Sequence, residues 1–312
     1  MKLPQLLLVS AALMAASHAA NILWISDQLP IGSGNSDNDG GAVGVFSSGA
    51  GPYPDEGVIS LLTSAGHTVS RFNPSNTSSL SAAEVATLNT FDLLIIARSI
   101  ASASFDTAAE TLPWNTLVTK PMMVTNTYIS RSNRLGWFTG GPNQPDVVTN
   151  FLTFNNPADP VTSYIVGNLS LNGATTTNSA TEAITYPDMS LDIRGTSLIT
   201  DPLVAGGKQI ATTSAGAATF IASWPAGTVL AGTSAGQTLA GFRMQFLVGN
   251  RESATAPNNT VGSAGFENLT PDGVAMFLRS VVVAVNNGAV PEPGIVGLLG
   301  VAALGLLQRR RR

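Results

Sequence analysis

The sequence of 312 residues contains no cysteine. This absence excludes disulfide bonds, a cysteine nucleophile and a zinc site with cysteine ligands. Histidine is almost as scarce, because the chain has only His18 and His67. Catalysis by a histidine acid or base would therefore depend on one of these two side chains.

Charge is also sparse, because Asp, Glu, Lys and Arg make up only 11% of the chain. Five of its 15 basic residues lie near the chain ends, at Lys2 and Arg309–Arg312. Without the two terminal segments, 10 basic residues face 18 or 19 acidic ones, a net charge of −8 or −9. Such a surface has no excess of positive charge to bind phosphates, so we expect no nucleic-acid partner.

Neither terminal apolar segment is long enough for a durable membrane span. The C-terminal one, Gly294–Leu307, has 14 residues. As a helix it would reach about 21 Å, against a hydrocarbon core of about 30 Å. Pro291 and Pro293 stop that helix from extending towards the N-terminus. The arginines Arg309–Arg312 follow it and favour the cytoplasmic side, so we expect a short transmembrane anchor within residues 288–312.

The order of these features resembles a PEP-CTERM sorting signal, in which a Pro-Glu-Pro motif, an apolar helix and an arginine cluster end the chain. Here the motif is VPEP, with its core at Pro291, Glu292 and Pro293. Such signals occur in Gram-negative bacteria that make extracellular polysaccharide. The resemblance implies an exosortase-type membrane protease as a partner and transient anchoring in the inner membrane. It also implies a final place at the cell surface or in the extracellular matrix.

The N-terminal segment has the order of a secretory signal peptide. Lys2 precedes the apolar stretch LLLVSAALMAA, and Ser17 and Ala19 provide the small residues that signal peptidase requires. We therefore expect a signal peptide over residues 1–19, cleavage after Ala19, and export through the secretion machinery.

The first half of the remaining chain alternates between strand and helix patterns. Apolar stretches predict strands, and the stretches between them have helical periodicity. The predicted strands are Asn21–Ser26, His67–Asn73, Asp92–Ser99 and Pro121–Thr127, and the predicted helices are Asp55–Gly66, Ser81–Leu88 and Asp106–Leu117. This order predicts a parallel sheet with helices on both faces.

The second half begins differently, with short stretches rich in Thr, Ser and Gly between Ala158 and Ala240, such as KQIATTS and ATFIASW. They predict strands and turns in an antiparallel extension. A late strand at Arg243–Gly249 precedes a helix with Thr270 as N-cap and Pro271 at its first position. We therefore expect one α/β domain over residues 20–287. It would be a flavodoxin-like three-layer sandwich with a mostly parallel central sheet and a β-rich insertion over residues 158–240.

The stretches NILWISD, SAGHTV, FDLLIIARS, KPMMVTNT and NLTPDGVAMFLRSVVVAV resemble the class I glutamine amidotransferase-like fold, and especially its trehalose-utilisation-like (ThuA-like) branch. The resemblance places the family's nucleophilic cysteine at Asn126. Because asparagine is no nucleophile, and neither cysteine nor histidine follows it, glutamine hydrolysis by that mechanism is excluded. ThuA-like proteins also often lack this nucleophile.

Gly232–Gly236 reads GTSAG and matches the G-x-S-x-G nucleophile elbow. An elbow of this type needs a histidine after the serine, and none follows Ser234. The string TSAG also occurs at residues 63–66 and 213–216, so we interpret GTSAG as a turn of small residues.

Oxygen-bearing side chains alternate at Asn35, Asp37 and Asp39 ahead of Gly40, a spacing that suits Ca²⁺. The position that would supply a bidentate carboxylate is Phe46, so the other interpretation is a loop rich in turns. We expect no cofactor other than this calcium ion.

In open α/β sheets, ligands collect at the carboxyl ends of the strands. Five candidate ligand-binding residues lie there: Asp27, Ser99, Asn126, Arg131 and Arg134. The two arginines would hold a carboxylate or line a sugar site, or else donate hydrogen bonds to nearby loop carbonyls.

These patterns favour a non-catalytic binding or structural protein associated with exopolysaccharide. The alternative is a hydrolase or sugar-modifying enzyme of ThuA-like type that pairs Asp27 with Asp192 or Asp201.

Overall fold

The computed structural model describes residues 19–26, 46–47, 55–72, 77–141, 143–147, 151–163, 165, 180–183, 196–213, 218–248 and 268–288. Several of the expected features lie outside these ranges. They are the signal peptide up to residue 18, Asp27, the calcium residues Asn35, Asp37 and Asp39, Asp192, and the sorting segment from residue 289 with Pro291, Glu292 and Pro293.

The described residues contain twelve β-strands. They are β1 (Asn21–Ile25), β2 (Phe46–Ser47), β3 (Thr68–Phe72), β4 (Leu93–Ile96), β5 (Met122–Val124), β6 (Asp146–Val147), β7 (Phe151–Phe154), β8 (Ala180–Glu182), β9 (Thr196–Ser197), β10 (Lys208–Thr213), β11 (Thr219–Trp224) and β12 (Arg243–Phe246). Ten of them form one sheet in the order β2-β3-β1-β4-β5-β12-β11-β10-β7-β8, and β6 pairs with β9 separately.

The centre of the large sheet is parallel, as the alternation of strands and helices predicts. The pairs β3–β1, β1–β4, β4–β5 and β5–β12 are all parallel. Numbered along the chain, these five strands lie in the order 2-1-3-4-5 across the sheet. The direction of winding therefore reverses between β1 and β4, and this reversal opens a crevice at their carboxyl ends.

The expected antiparallel extension is also present, since β12, β11, β10, β7 and β8 pair antiparallel in succession. The strands KQIATT and TFIASW match β10 and β11. Strand β7, FLTF, was not predicted, because it is short and lies between polar segments. Its paired residues in β10 are 57 to 61 positions away in sequence, so local sequence gives little sign of the pairing.

Helices pack against both faces of the sheet. They are α1 (Glu56–Ser64), α2 (Ala82–Leu88), α3 (Ala108–Leu112), α4 (Thr127–Ser130) and α5 (Pro271–Val285). Helices α1 and α5 bury apolar residues on one face, and the other face covers Leu88, Phe105 and Trp114. Side chains of β1 alternate between the two cores, with Ile22 and Trp24 in one and Leu23 and Ile25 in the other.

Local capping explains where several helices begin. Ser81 caps α2 in a capping box with Glu84, and Thr270 accepts a hydrogen bond from the Gly273 N–H at 3.1 Å. The predicted helix Asp106–Leu117 is shorter than expected. It consists of α3 and a π-helical turn over Pro113–Leu117, because Pro113 has no N–H to continue the α-helical pattern.

No helix within the described ranges is both long enough and apolar enough to cross a bilayer. The expected C-terminal anchor lies beyond these ranges.

Candidate functional site

The crevice at the carboxyl ends of β1 and β4 is the natural place for a ligand in this topology. Ser26 follows β1 and Ser99 lies three residues after β4, and their hydroxyl oxygens are 3.2 Å apart. The Ser26 hydroxyl donates to Asp55 Oδ2 at 2.8 Å, so the proton between the two serines comes from Ser99. Both serines are buried at this edge of the sheet.

Asp55 connects Ser26 to the neighbouring strands β1 and β3. Its carboxylate is fully buried, accepts a hydrogen bond from Trp24 Nε1 at 2.7 Å, and forms an ion pair with Arg71. The Arg71 guanidinium contacts both carboxylate oxygens. With donors from Trp24, Ser26 and Arg71, the Asp55 carboxylate has a structural role.

Asn126, the residue that the amidotransferase resemblance aligns with a nucleophile, has a structural role in the described geometry. Its side chain is buried and caps α4 by accepting from the Tyr128 N–H at 2.8 Å. Its amide nitrogen donates to the Arg98 carbonyl at 2.9 Å and lies 3.4 Å from the Ile100 carbonyl. Asn126 therefore fixes the loop after β4 against the start of α4.

Three aromatic and cationic side chains stack above this junction. The guanidinium carbons of Arg98 and Arg131 each lie 5.4 Å from the centroid of the Tyr128 ring. Cations attract the negative faces of an aromatic ring, so Tyr128 holds two arginines close together. The Tyr128 hydroxyl lies 3.3 Å from Ser197 Oγ, which donates to Asp146 Oδ1 at 2.7 Å.

Arg134 completes the cationic cluster. It forms an ion pair with Asp106 at 2.5 Å and donates to the Asn133 carbonyl at 2.7 Å. Arg131 donates to Gln144 Oε1 at 2.6 Å. The pKa of Arg131 is lowered to about 10, chiefly by burial and also by the neighbouring charge of Arg134, while Asp106 opposes this shift.

Several buried polar atoms around this cluster have no hydrogen-bond partner within the described part of the chain. They are Arg131 Nε, Arg134 Nε, Gln144 Nε2, Asn133 Oδ1 and Thr127 Oγ1. Buried polar groups in folded proteins are nearly always satisfied, so this concentration within one segment needs an explanation. Three of the five are N–H donors, and two of these belong to cations. Donors on cations form their strongest hydrogen bonds with negatively charged acceptors.

The GTSAG segment holds the arginine-bearing loop in place. Thr233 N–H donates to the Ser132 carbonyl at 2.9 Å, and the Ser234 hydroxyl lies 3.1 Å from the Arg134 carbonyl. Ser234 is fully buried, and its hydroxyl also contacts Thr111 Oγ1 at 2.9 Å and Asn115 Nδ2 at 3.2 Å. It is therefore a structural serine, as the lack of a following histidine indicates.

The two loops approach so closely that glycine is required at the contact. A Cβ atom on Gly232 would lie 1.8 Å from the Ser132 carbonyl oxygen. A Cβ on Gly136 would lie 2.3 Å from the Ala231 carbonyl oxygen. Both glycines also have positive φ angles, of 60° and 73°.

Of the predicted site residues, the structure places Ser99, Asn126, Arg131 and Arg134 at the same edge of the sheet. Sequence reasoning did not identify Arg98 and Gln144 as members of the cluster. Arg98 had a detectable signal, because it is a charged residue two positions after the wholly buried strand LLII. Gln144 had none, because its position depends on the distant pairing of β6 with β9.

The enzyme alternative needs two carboxylates facing each other. Asp201 Oδ2 accepts from the Asn143 N–H at 3.3 Å, beside the loop that carries Gln144. Its predicted partner Asp27 lies outside the described residues, so the pair stays a prediction. Within the described ranges, no group of three or more His, Asp or Glu side chains is placed to hold a metal ion.

Comparison with known proteins identifies the C-terminal segment. The family profile of the PEP-CTERM protein-sorting motif matches residues 289–312. The chain therefore carries the sorting motif that its VPEP sequence resembles, and this motif indicates an exported protein sorted by an exosortase. No curated protein matches the sequence.

One solved structure is similar over much of the chain, the cytoplasmic protein STM3548 from Salmonella typhimurium. The alignment covers 83% of this chain and 97% of the other, with 10% sequence identity and a TM-score of 0.40.

Proposed function

We propose that this chain is an exported surface protein that binds an acidic polysaccharide through the arginine cluster at the carboxyl edge of its sheet. The sorting motif supports the location, and the leader sequence supports export. In this proposal signal peptidase removes residues 1–19, and the exosortase acts at the C-terminal segment. The body belongs to a flavodoxin-like class, close to the ThuA-like branch.

The observation that carries this proposal is the set of unsatisfied donors at Arg131, Arg134 and Gln144. A carboxylate is planar and accepts two parallel hydrogen bonds from a guanidinium. The carboxylate of a uronic-acid residue would pair with the accessible part of the Arg131 and Arg134 guanidinium groups, both of which are half-buried. Neutral sugars lack the charge that would compensate two partly buried cations.

The rest of the surface favours a specific site over general adsorption. The chain without its terminal segments has a net charge of −8 or −9. A polyanion is therefore repelled by most of the molecule and attracted only where positive charge is concentrated. Affinity through such a site depends on salt, because the Debye length falls from about 30 Å at 0.01 M to about 3 Å at 1 M.

The test is calorimetric titration of the purified exported protein with polygalacturonate, a uronic-acid polymer, and with neutral dextran of similar length. We expect saturable binding of polygalacturonate that weakens with added salt, and no binding of dextran. Equal binding of both polymers, or binding of neither, would contradict the proposal.

A further inference from the structure

The opposite edge of the sheet contains a cavity of about 180 Å³. It lies where β1 begins and α5 ends, and it is lined by Ala20, His67, Asp92, Val282, Val285 and Asn286. Ala19 lies at the same cavity and is exposed, whereas Ala20 is only 2% exposed. The exposed fraction therefore changes sharply across the Ala19–Ala20 peptide bond.

Two side chains accept hydrogen bonds from the backbone N–H groups at the start of β1. The Ala20 N–H donates to His67 Nδ1 at 3.3 Å, and the Asn21 N–H donates to Asp92 Oδ2 at 2.8 Å. His67 accepts through Nδ1, so its imidazole is neutral with the proton on Nε2. Burial lowers the pKa of His67 and favours this neutral form at physiological pH.

We propose that this cavity is a built-in binding site for the α-ammonium group of the mature chain. The inference rests on the proposed export of the protein and on removal of the leader after Ala19. Hydrolysis of the Ala19–Ala20 bond adds one water, leaves a carboxylate on Ala19, and frees an amine on Ala20 that takes up a proton. The single N–H that now faces His67 becomes an ammonium with three donors.

The charges around the cavity suit an ammonium group. His67 supplies a neutral acceptor and Asp92 supplies a negative charge one residue further along β1. Val282, Val285 and Asn286, which approach from α5 and its C-terminal end, carry no charge. The volume of the cavity leaves room for water to satisfy the remaining donor, because a single water needs only about 15 Å³ of such space.

The position of Ala20 also implies that cleavage precedes the folding of β1 into the sheet. The Thr68 N–H donates to the Ala20 carbonyl at 3.0 Å, and the Asp92 N–H donates to the Asn21 carbonyl at 2.9 Å. Both strands that flank β1 therefore close over the cleavage junction. A peptidase can reach this bond only before β1 is inserted between β3 and β4.

The experiment uses the exported full chain. Mass spectrometry first establishes whether it begins at Ala20, and the native protein is then treated with an amine-acylating reagent. We expect the Ala20 α-amine to react at least about tenfold more slowly in the native protein than in urea. A matched variant with one glycine inserted between Ala19 and Ala20 should react at the unfolded rate, because its new terminus lies outside the cavity.

The substitution Asp92→Asn distinguishes two roles for Asp92, namely pairing with the ammonium group or only stabilising the fold. If Asp92 pairs with the ammonium, this substitution lowers the melting temperature more in the normal protein than in the glycine-insertion variant. Equal losses in both proteins, or a native α-amine that reacts freely, would overturn the inference. A chain that begins at another residue would overturn the assigned cleavage position as well. Polygalacturonate binding should be the same in all these variants, so failure of that function would be detected separately.

Discussion

Arg243 and Arg131 are both removed from water, but their environments differ. The Arg243 guanidinium is completely buried, and its two terminal nitrogens approach five backbone carbonyl oxygens at 2.7–3.4 Å. Arg131 is half-buried, has one amide oxygen at 2.6 Å, and keeps an unpaired Nε among the described residues. Arg243 Nε is likewise unpaired among the described residues, so the two arginines differ in their terminal nitrogens, which meet five backbone carbonyls in Arg243 and one amide oxygen in Arg131.

The first way to test this contrast is Arg243→Met, which should have the largest effect. The carbonyls of Lys120, Trp114 and Val118 would lose their donor in a dry interior, and the π-helical turn would lose its cap. Since each unsatisfied buried acceptor costs about 1–3 kcal/mol, we expect a loss of about 3 kcal/mol or more in the free energy of unfolding. Urea denaturation measures it.

Arg279→Met is the matched control, because Arg279 Nε has one carbonyl acceptor, Pro160, at 3.1 Å. We expect it to cost about 1 kcal/mol. Similar losses in the two variants would mean that the five carbonyl contacts of Arg243 do not stabilise the fold.

The second test is Gly232→Ala, which should impair both stability and binding. The new methyl group would collide with the Ser132 carbonyl and displace the loop that carries Arg131 and Arg134. We expect a loss of about 2–4 kcal/mol in unfolding free energy and a marked loss of polygalacturonate affinity.

Gly227→Ala provides the control, because Gly227 also has a positive φ of 86° but nothing within 4 Å of its Cβ position. Its cost should be limited to the backbone term of about 1 kcal/mol, with binding unchanged. If both alanine variants bind normally, the GTSAG segment does not position the arginines.

The third test is Arg131→Gln, which should separate binding from stability. We expect polygalacturonate affinity to fall about tenfold or more, since one charge-assisted hydrogen bond contributes about 1.5–3 kcal/mol. The free energy of unfolding should change little, because Arg131 would lose only one hydrogen bond, to Gln144, and one ring contact, with Tyr128. Arg279→Gln should leave the affinity unchanged and should cost at most the loss of about 1 kcal/mol expected for Arg279→Met. A stability loss as large as that of Arg243→Met would make Arg131 a structural residue.

A smaller effect is expected from pH. The pKa of Arg131 is lowered to about 10, so the residue remains a cation at neutral pH and loses its proton as the pH rises through that value. Affinity for polygalacturonate should be constant between pH 6 and 9 and should fall near pH 10. Titrations at constant ionic strength measure this change. A profile of the same shape in Arg131→Gln would assign the transition to another group.

The smallest expected effect concerns His67 at the amino edge. Its folded pKa lies below the ordinary value of 6.5, so the unfolded chain binds more protons between the two values. This contribution to stability is complete above pH 6.5 and is lost as the pH falls below it. Urea midpoints measured from pH 7.5 to 5 should decrease, and His67→Gln should flatten that slope. An unchanged slope would show that His67 is not the titrating group.

Much of the fold was predictable because its strands are apolar and bounded by clear turns. The strands NILWI, LLII and MMV, and the cap at Thr270, gave the parallel core and the last helix correctly. The π-helical turn after Pro113 and strand β7 were missed. Both depend on distant partners, Arg243 for the turn and β10 for the strand.

The position of the candidate site could be predicted from the sequence, but the contacts between its side chains could not. The rule that ligands bind at strand ends located Ser99, Asn126, Arg131 and Arg134. It could not show that Asn126 is a helix cap, or that the Tyr128 ring contacts both Arg98 and Arg131. Those contacts follow from side-chain directions that only the folded chain fixes.

The cavity at the start of β1 bears on how the exported protein would be oriented at a membrane. Val285 and Asn286 line it together with Ala20, so the chain enters and leaves the domain at one pole. Gly288 directly precedes residue 289, where the sorting motif begins. In the proposed arrangement, a tail held in the lipid would place this pole towards the membrane and the guanidinium cluster, at the opposite edge of the sheet, towards the medium.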